Sequence, residues 1–316
     1  MMKPGEGRIL LSMTGMNPRR WFELLSSHRQ VVLEPDGPAD PTIRYAMVWK
    51  HPRGVLESLP NLQAIFSVGA GVDHIFSDTR LPDVPIARVV AKNLTQHMVE
   101  YVVWRVLDHH RQGALYRNQQ GRRVWHEPRQ PVSADVAVGI MGLGQLGRAA
   151  ASQLLSIGFR VNGWSRTDRP MEGVSTWHGE EGLTPFLNAT DILVVLLPLT
   201  PATQGIVDLS VLKRLRADGP LGGPVLINAG RGRLQKEADI LAALENGTLK
   251  ESSLDVFETE PLPKTSALWK HPAVFVTPHA AATSDPEHLV PLLLEQIARH
   301  ERGEELENLV DRQAGY

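Results

Sequence analysis

The sequence predicts an α/β fold with two doubly wound parallel sheets, and three observations carry that expectation. Short runs rich in Val, Ile and Leu alternate with helical or turn segments along the whole chain, the rhythm of strands joined by crossover helices. One run, DILVVL at residues 191–196, is apolar without alternation, as a strand covered on both faces must be. The stretch DVAVGIMGLGQLGR at 135–148 reads as strand, tight turn and helix in immediate succession.

In order along the chain, candidate strands lie at 8–11, 30–33, 45–49, 64–68 and 86–89, each bounded by Gly, Pro, Asn or Asp, and form one small α/β domain. Within it, Ser67-Val68-Gly69-Ala70-Gly71-Val72-Asp73 ends a strand in small residues whose successive N–H groups can form an anion-binding nest. Taken alone the stretch reads as a plain turn. Trp49, at the end of the third strand near that nest, is placed to shape a small pocket. Residues 95–118 carry a long amphipathic helical pattern with Val99, Val102, Val103, Val106 and Leu107 on one side, and His109 and His110 are expected on its solvated face. Residues 119–133 are aperiodic and predict an extended surface arm, on which Trp125 is a surface anchor or a partner contact. Further strands are expected at 159–164, 191–196, 224–227, 252–256 and 274–277, with helices at 209–215 and 236–246, the second stopped by Gly247.

The turn at 142–147 has the spacing of a dinucleotide cradle. Gly142 permits the turn, Gly144 lets the backbone approach a pyrophosphate, and Gly147 lets helix and strand pack closely. Gln145 and Leu146 then open a helix whose free N–H groups and positive dipole end face an anion. The end of the next strand selects the nucleotide. An Asp or Glu there, about 20 residues on, would bond a ribose hydroxyl, whereas Ser165-Arg166-Thr167 suits a 2′-phosphate, so NADPH is expected over NADH. A competing reading makes Arg166 a solvated surface charge and gives the ribose to Asp168.

Ligands of such sheets sit outside the carboxyl ends of the strands. Four segments there share one chemistry: Leu197-Pro198-Leu199-Thr200, Asn228-Ala229-Gly230-Arg231-Gly232, Asp255-Val256-Phe257-Glu258-Thr259-Glu260-Pro261 and Thr277-Pro278-His279-Ala280-Ala281. The fork of Arg231 matches a carboxylate, His279 is a proton carrier near neutral pH, and a carboxylate such as Glu260 on its far nitrogen would fix its tautomer. Singly, Arg231 reads as a surface charge, Glu260 as a loop acid and His279 as a capping residue. Jointly they supply what carbonyl reduction needs, a proton for the oxygen while a nicotinamide hydride reaches the carbon.

The composition excludes other classes. With 42% hydrophobic and 22% charged residues, 316 residues suffice for two domains with real cores. A net charge of −2 argues against nucleic acid or anionic membrane as a partner, and the absence of cysteine excludes disulfides and thiolate chemistry. The N-terminal stretch lacks a signal-peptide core, the run 192–199 is too short to span a membrane, and no histidine pair has metal-ligand spacing, so a cytoplasmic protein without metal is expected.

These motifs resemble the D-isomer-specific 2-hydroxyacid dehydrogenases over nearly the whole chain: the glycine turn, LPLTPAT at 197–203, NAGRG at 228–232, LDVFETEPLP at 254–263 and TPHAA at 277–281. Within that family, VGAGVDHI at 68–75, Trp164-Ser165-Arg166 and the ending Gly315-Tyr316 are similar to the glyoxylate/hydroxypyruvate reductase A branch. The resemblance implies a Rossmann-like dinucleotide-binding domain at 99–285 and a flavodoxin-like substrate-binding domain at 1–98 completed by 286–316, with the active-site cleft between them. It implies reduction of small 2-oxo acids, glyoxylate and hydroxypyruvate first. Arg231 would hold the carboxylate and carbonyl, His279 would donate the proton and Glu260 would orient it. Val68, Gly69, Ala70 and Gly71 would offer amides beside Trp49, while Leu197, Pro198, Thr203, Ala229, Gly230 and Asp255 would line the cofactor, Asp255 near the nicotinamide. Ser165 departs from the Asp of most members, no regulatory domain is expected after residue 316, and a homodimer through the cofactor domain would bring Trp125 to the neighbour's site. A cofactor-sensing binding protein of the co-repressor kind, or a dehydrogenase of another small acid such as formate or phosphite, would use the same residues.

Overall fold

A computed structural model describes residues 7–34, 39–88 and 90–316. The chain divides into two compact units, Met1–Leu94 with Thr283–Tyr316, and Thr95–Ala282.

The first unit is built on β1 (Arg8–Met13), α1 (Arg19–Ser26), β2 (Val31–Val32), β3 (Ile43–Trp49), β4 (Ala64–Ser67), α2 (Asp73–Phe76) and β5 (Ile86–Arg88). The strands pair in parallel in the order β2-β1-β3-β4-β5, the doubly wound arrangement of flavodoxin-like sheets. All five expected strands are present; Val89, the expected end of the last, lies outside the described residues. Leu10, Val48, Ile65, Ile75 and Ile86 belong to one buried cluster beneath this sheet. The register sets Val48 beside Ser67, so the ends of β3 and β4, carrying Trp49 and the 68–71 turn, are neighbours.

α3 (Lys92–His110) enters the second unit at Thr95, and in that unit it and α4 (Gly113–Arg122) precede β6 (Ala137–Met141), α5 (Gln145–Ile157), β7 (Arg160–Ser165), β8 (Val174–His178), α6 (Gly179–Asn188), β9 (Ile192–Val195), α7 (Leu209–Leu212), β10 (Val225–Asn228), α8 (Glu237–Glu245), β11 (Glu251–Leu254) and β12 (Val274–Val276). A final helix, α9 (Pro286–Glu301), belongs to the first unit. The seven strands are parallel in the order β12-β11-β10-β9-β6-β7-β8. Val138, Ile140, Ile192 and Val194 fill one face and Met141, Leu193 and Val195 the other, which is why the strand at 191–196 shows no alternation. The chain winds outward in both directions from β6, leaving a topological switch point between β6 and β9.

Two expectations are corrected, and two elements are added. The helix read at 95–118 is two helices, broken where Gln112 takes φ 57° in the left-handed region and Gly113 follows. β8 and α6 were not expected: VSTWH is a mixed edge strand without a clean apolar face, and α6 carries Pro185 inside it. His109 and His110, expected in solvent, are 5% and 4% exposed. The polar strand β11 offers α3 partners: His109 Nδ1 lies 2.5 Å from Glu251 and Nε2 2.7 Å from the Ser253 hydroxyl, while His110 packs edge-on against Phe159. Trp125, on the arm after α4, is fully exposed. Among the described residues no helix is long and apolar enough to cross a membrane.

Candidate active site

The cradle is built by the glycines. Gly142 leaves β6 at φ +115°, a conformation a side chain resists, and a Cβ there would stand 2.8 Å from the Leu196 carbonyl oxygen. A Cβ on Gly147 would overlap the Gly142 carbonyl oxygen, so only glycine lets α5 pack this close to the turn. At Gly144 nothing lies within 4 Å, and the first turn of α5 carries no side-chain cap at its N-terminus. Open space and uncapped N–H groups at a helix N-terminus fit a pyrophosphate. Gln145 is exposed and Leu146 half-buried at that end.

At the end of β7 the Ser165 hydroxyl donates to the Thr167 carbonyl oxygen at 2.8 Å, closing a small turn, with Arg166 and Thr167 exposed beyond it. Asp168 lies 3.8 Å from His178 Nδ1 on the adjacent strand β8. The segment after β9 braces itself: Thr203 Oγ1 donates to the Pro198 carbonyl oxygen at 2.7 Å, and Leu197 is buried.

The three chemical side chains stand beyond three adjacent strands, Arg231 after β10, Glu260 after β11 and His279 after β12. His279 Nδ1 is 2.9 Å from Glu260 Oε2, and the other Glu260 oxygen accepts the Phe257 amide at 3.2 Å, so one carboxylate anchors to its own loop while holding the imidazole. Arg231 sits in a stiff turn: Asn228 takes the Gly230 amide at 3.0 Å and gives its side-chain N–H to the Arg231 carbonyl oxygen at 3.1 Å, and Arg231 Nη1 donates to the Gly230 carbonyl oxygen at 2.8 Å. Gly232 packs against the backbone of Phe257, where a Cβ would overlap the carbonyl, which fastens the Arg231 loop to the Glu260 loop. Ala229 and Gly230 are buried at the strand end.

Asp255, expected near the nicotinamide, ends its segment inside the protein. It is 1% exposed and both oxygens are engaged, Oδ1 by the Thr277 hydroxyl at 2.6 Å and the Ala280 amide at 2.8 Å, Oδ2 by the Ala281 amide at 3.0 Å. Its carbonyl oxygen also accepts the His279 amide at 2.7 Å. This clamp holds His279 at φ 55°, a strained backbone for a residue with a side chain. Tyr101 of α3 extends the chain to 2.9 Å from the Thr277 hydroxyl, and burial pushes its phenol up to about 12. Tyr101 and Thr277 were not anticipated as support for the site; a Thr two residues before the histidine was the one available signal.

In the first unit the turn at 68–71 follows β4. The Val68 amide donates to the Val48 carbonyl oxygen at 3.2 Å and the Gly69 amide to Ser67 Oγ at 3.3 Å, so both are committed within the protein. Among the described residues the amides of Ala70 and Gly71 donate to no protein group. Trp49 lies directly under Gly69, its Cζ3 2.6 Å from where a Cβ would stand.

A glycine cradle at a switch point, with a histidine–carboxylate pair on the same sheet edge, is the arrangement of a nicotinamide-dependent dehydrogenase. The sequence profile of D-isomer specific 2-hydroxyacid dehydrogenases, NAD binding domain, matches residues 103–281, and the chain belongs to that family as an NAD(P)-dependent 2-hydroxyacid dehydrogenase. It groups with the glyoxylate/hydroxypyruvate reductase A branch. It is 39% identical over 286 residues to glyoxylate/hydroxypyruvate reductase A of Yersinia enterocolitica, covering 88% of each chain, and 39% identical over 278 residues to the protein of the same name from Photorhabdus laumondii, covering 86% of this chain and 87% of the other. Among solved structures it is similar to the NADPH-dependent glyoxylate/hydroxypyruvate reductase of Sinorhizobium meliloti in complex with NADP and sulfate, with TM-score 0.93, 44% identity and coverage of 98% and 100% of the two chains. A probable 2-hydroxyacid dehydrogenase of Rhizobium etli, bound to NADP, HEPES and tartaric acid, matches with TM-score 0.92, 45% identity and the same coverage.

Proposed function

We propose that the protein reduces small 2-oxo acids, glyoxylate and hydroxypyruvate first, to 2-hydroxy acids, with NADPH preferred over NADH and His279 as proton donor. The observation that carries this reading is the 2.9 Å bond between His279 and Glu260, one strand away from Arg231. In this reading the second unit binds the dinucleotide through Gly142, Gly144, Gln145, Leu146 and Gly147, with Leu197, Pro198, Thr203, Ala229 and Gly230 along it, and the first unit binds substrate. The nucleotide, when bound, supplies a hydride to the carbonyl carbon.

The side chains do the rest. Arg231 pairs with the substrate carboxylate and draws charge onto the carbonyl oxygen, and in the first unit the amides of Ala70 and Gly71 are donors suited to a carboxylate. Glu260 accepts from Nδ1 and so leaves Nε2 of His279 as the atom that delivers a proton to the oxygen. Asp255 acts through the loop it clamps.

NADPH preference rests on Arg166 beside Ser165 and Thr167, a cation and hydroxyls where a carboxylate would repel a 2′-phosphate. Asp168, the competing candidate, lies within 3.8 Å of His178, and the similar S. meliloti and R. etli proteins carry NADP. We further propose a homodimer through the second unit, in which Trp104, Leu115, Tyr116 and Trp125, 38% to 103% exposed on α3, α4 and the arm, would be covered.

The test is a panel of 2-oxo acids with NADPH and NADH in parallel, followed by nicotinamide absorbance. Glyoxylate and hydroxypyruvate should be turned over, Arg166→Ala should raise KM for NADPH at least tenfold while hardly changing KM for NADH, and His279→Gln should lower kcat about a thousandfold with NADPH binding intact. Turnover retained in His279→Gln removes its assigned role.

A further inference from the structure

The turn beyond β4 is held by a chain of hydrogen bonds that no step above uses. It begins at Lys50, just past β3, whose φ of 47° puts a residue with a side chain in the left-handed region. The Lys50 backbone N–H donates to Nδ1 of His74 at 3.2 Å. A backbone N–H can only donate, so Nδ1 carries the lone pair and the neutral ring keeps its proton on Nε2. Nε2 lies 3.1 Å from Ser67 Oγ, to which it donates. The Ser67 hydroxyl stands 2.9 Å from the carbonyl oxygens of both Gly69 and Gly71, and it accepts the Gly69 amide at 3.3 Å. Ser67 is fully buried and His74 7% exposed, so water cannot replace these partners at low cost. The same imidazole packs on Trp49, ring centroids 4.6 Å apart, and the indole fills the space under Gly69.

One ring thus ties together the strained Lys50, the turn at 69–71 and the indole. We propose that His74 is a positioning residue for the 2-oxo acid: through Ser67 it sets the turn that presents the Ala70 and Gly71 amides, and through its face it sets Trp49. The role rests on the proposed use of those amides for the substrate carboxylate. It acts on substrate affinity and leaves the chemical step and the nucleotide site, both built in the other unit, as they are.

The experiment compares wild type, His74→Phe, His74→Gln, Ser67→Ala and the Phe–Ala double variant at saturating NADPH, with glyoxylate and hydroxypyruvate as substrates. His74→Phe keeps a ring for Trp49 but loses both bonds, and it should raise KM about tenfold, the effect of losing about one neutral buried hydrogen bond, with kcat within about twofold of wild type and NADPH affinity unchanged. Ser67→Ala should match it, and the double variant should be no worse than either single one, because all three cut the same chain. His74→Gln, with an amide that can donate from the Nε2 position, should recover most of the loss. Unchanged KM in folded His74→Phe, or in Ser67→Ala if the larger change does not fold, overturns the role. Parallel losses in kcat and NADPH affinity overturn it too, since a general loosening would cause them. A wild type that reduces neither acid sinks the functional reading and this role with it, whereas an active wild type whose variants keep its KM sinks the role alone.

Discussion

A methyl group at position 147 would overlap the Gly142 carbonyl oxygen, backbone against backbone, so neither side can yield without moving α5 away from β6. Position 144 is different. Its φ of −75° suits any residue, and nothing stands within 4 Å of the added atom. Gly147→Ala should therefore lose about 3 kcal/mol of stability or fail to fold, the effect of forcing an atom into a packed backbone contact. Gly144→Ala should unfold at the wild-type temperature and yet bind NADPH at least tenfold more weakly, because the methyl sits where the backbone would approach the pyrophosphate. Thermal unfolding with and without NADPH reads both effects at once. The reverse ranking, with Gly144→Ala unstable and Gly147→Ala merely weak in binding, would contradict the assignment of one glycine to packing and the other to the ligand.

The loop at 277–281 is an element whose shape is set from outside itself. Asp255 engages it at three points, and the Thr277 hydroxyl joins that carboxylate to Tyr101. Thr277→Val keeps the volume but deletes both bonds, leaving a buried phenol without its partner and Asp255 with one donor fewer. Its kcat should fall about tenfold while KM for NADPH stays near wild type, and a conservative Thr277→Ser should restore kcat. Equal kcat in wild type and Thr277→Val would show that the clamp does not govern His279. Such elements were unevenly legible. DILVVL announces a central strand because both faces must be apolar, and the strand-end rule led directly to the segments holding Arg231, Glu260 and His279. VSTWH hid β8, since an edge strand needs no such pattern, and His109 and His110 were misplaced because their burial depends on Glu251, Ser253 and Phe159, far along the chain. The Asp255 clamp was illegible for the same reason: an Asp at a strand end looks alike whether it faces a ligand or three groups of its own protein.

At the scale of the molecule, both units carry buried histidines whose charge the fold resists. In the first unit His51 has a fully buried side chain, and burial lowers its pKa more than Asp78, 3.5 Å away, raises it. In the second, burial against Phe159 and the nearby Arg111 lower that of His110. A folded-state pKa below the unfolded value of about 6.5 means that the folded form holds fewer protons, so this stability is complete above about pH 6.5 and is lost as pH falls towards the folded values. Asp78, Asp108, Asp208 and Glu251 are lowered as well, and their share is lost only further down, below about pH 4. Asp191 and Glu237, raised by burial, work in the opposite sense and soften the acid loss. The urea midpoint should accordingly decline between pH 7.5 and 5.5, before most carboxylates titrate, with its slope against urea unchanged. His110→Leu, which cannot take a charge, should flatten the decline in the second unit while His51 continues to impose it on the first. A wild-type midpoint level across that window would show that neither imidazole is held neutral by its surroundings.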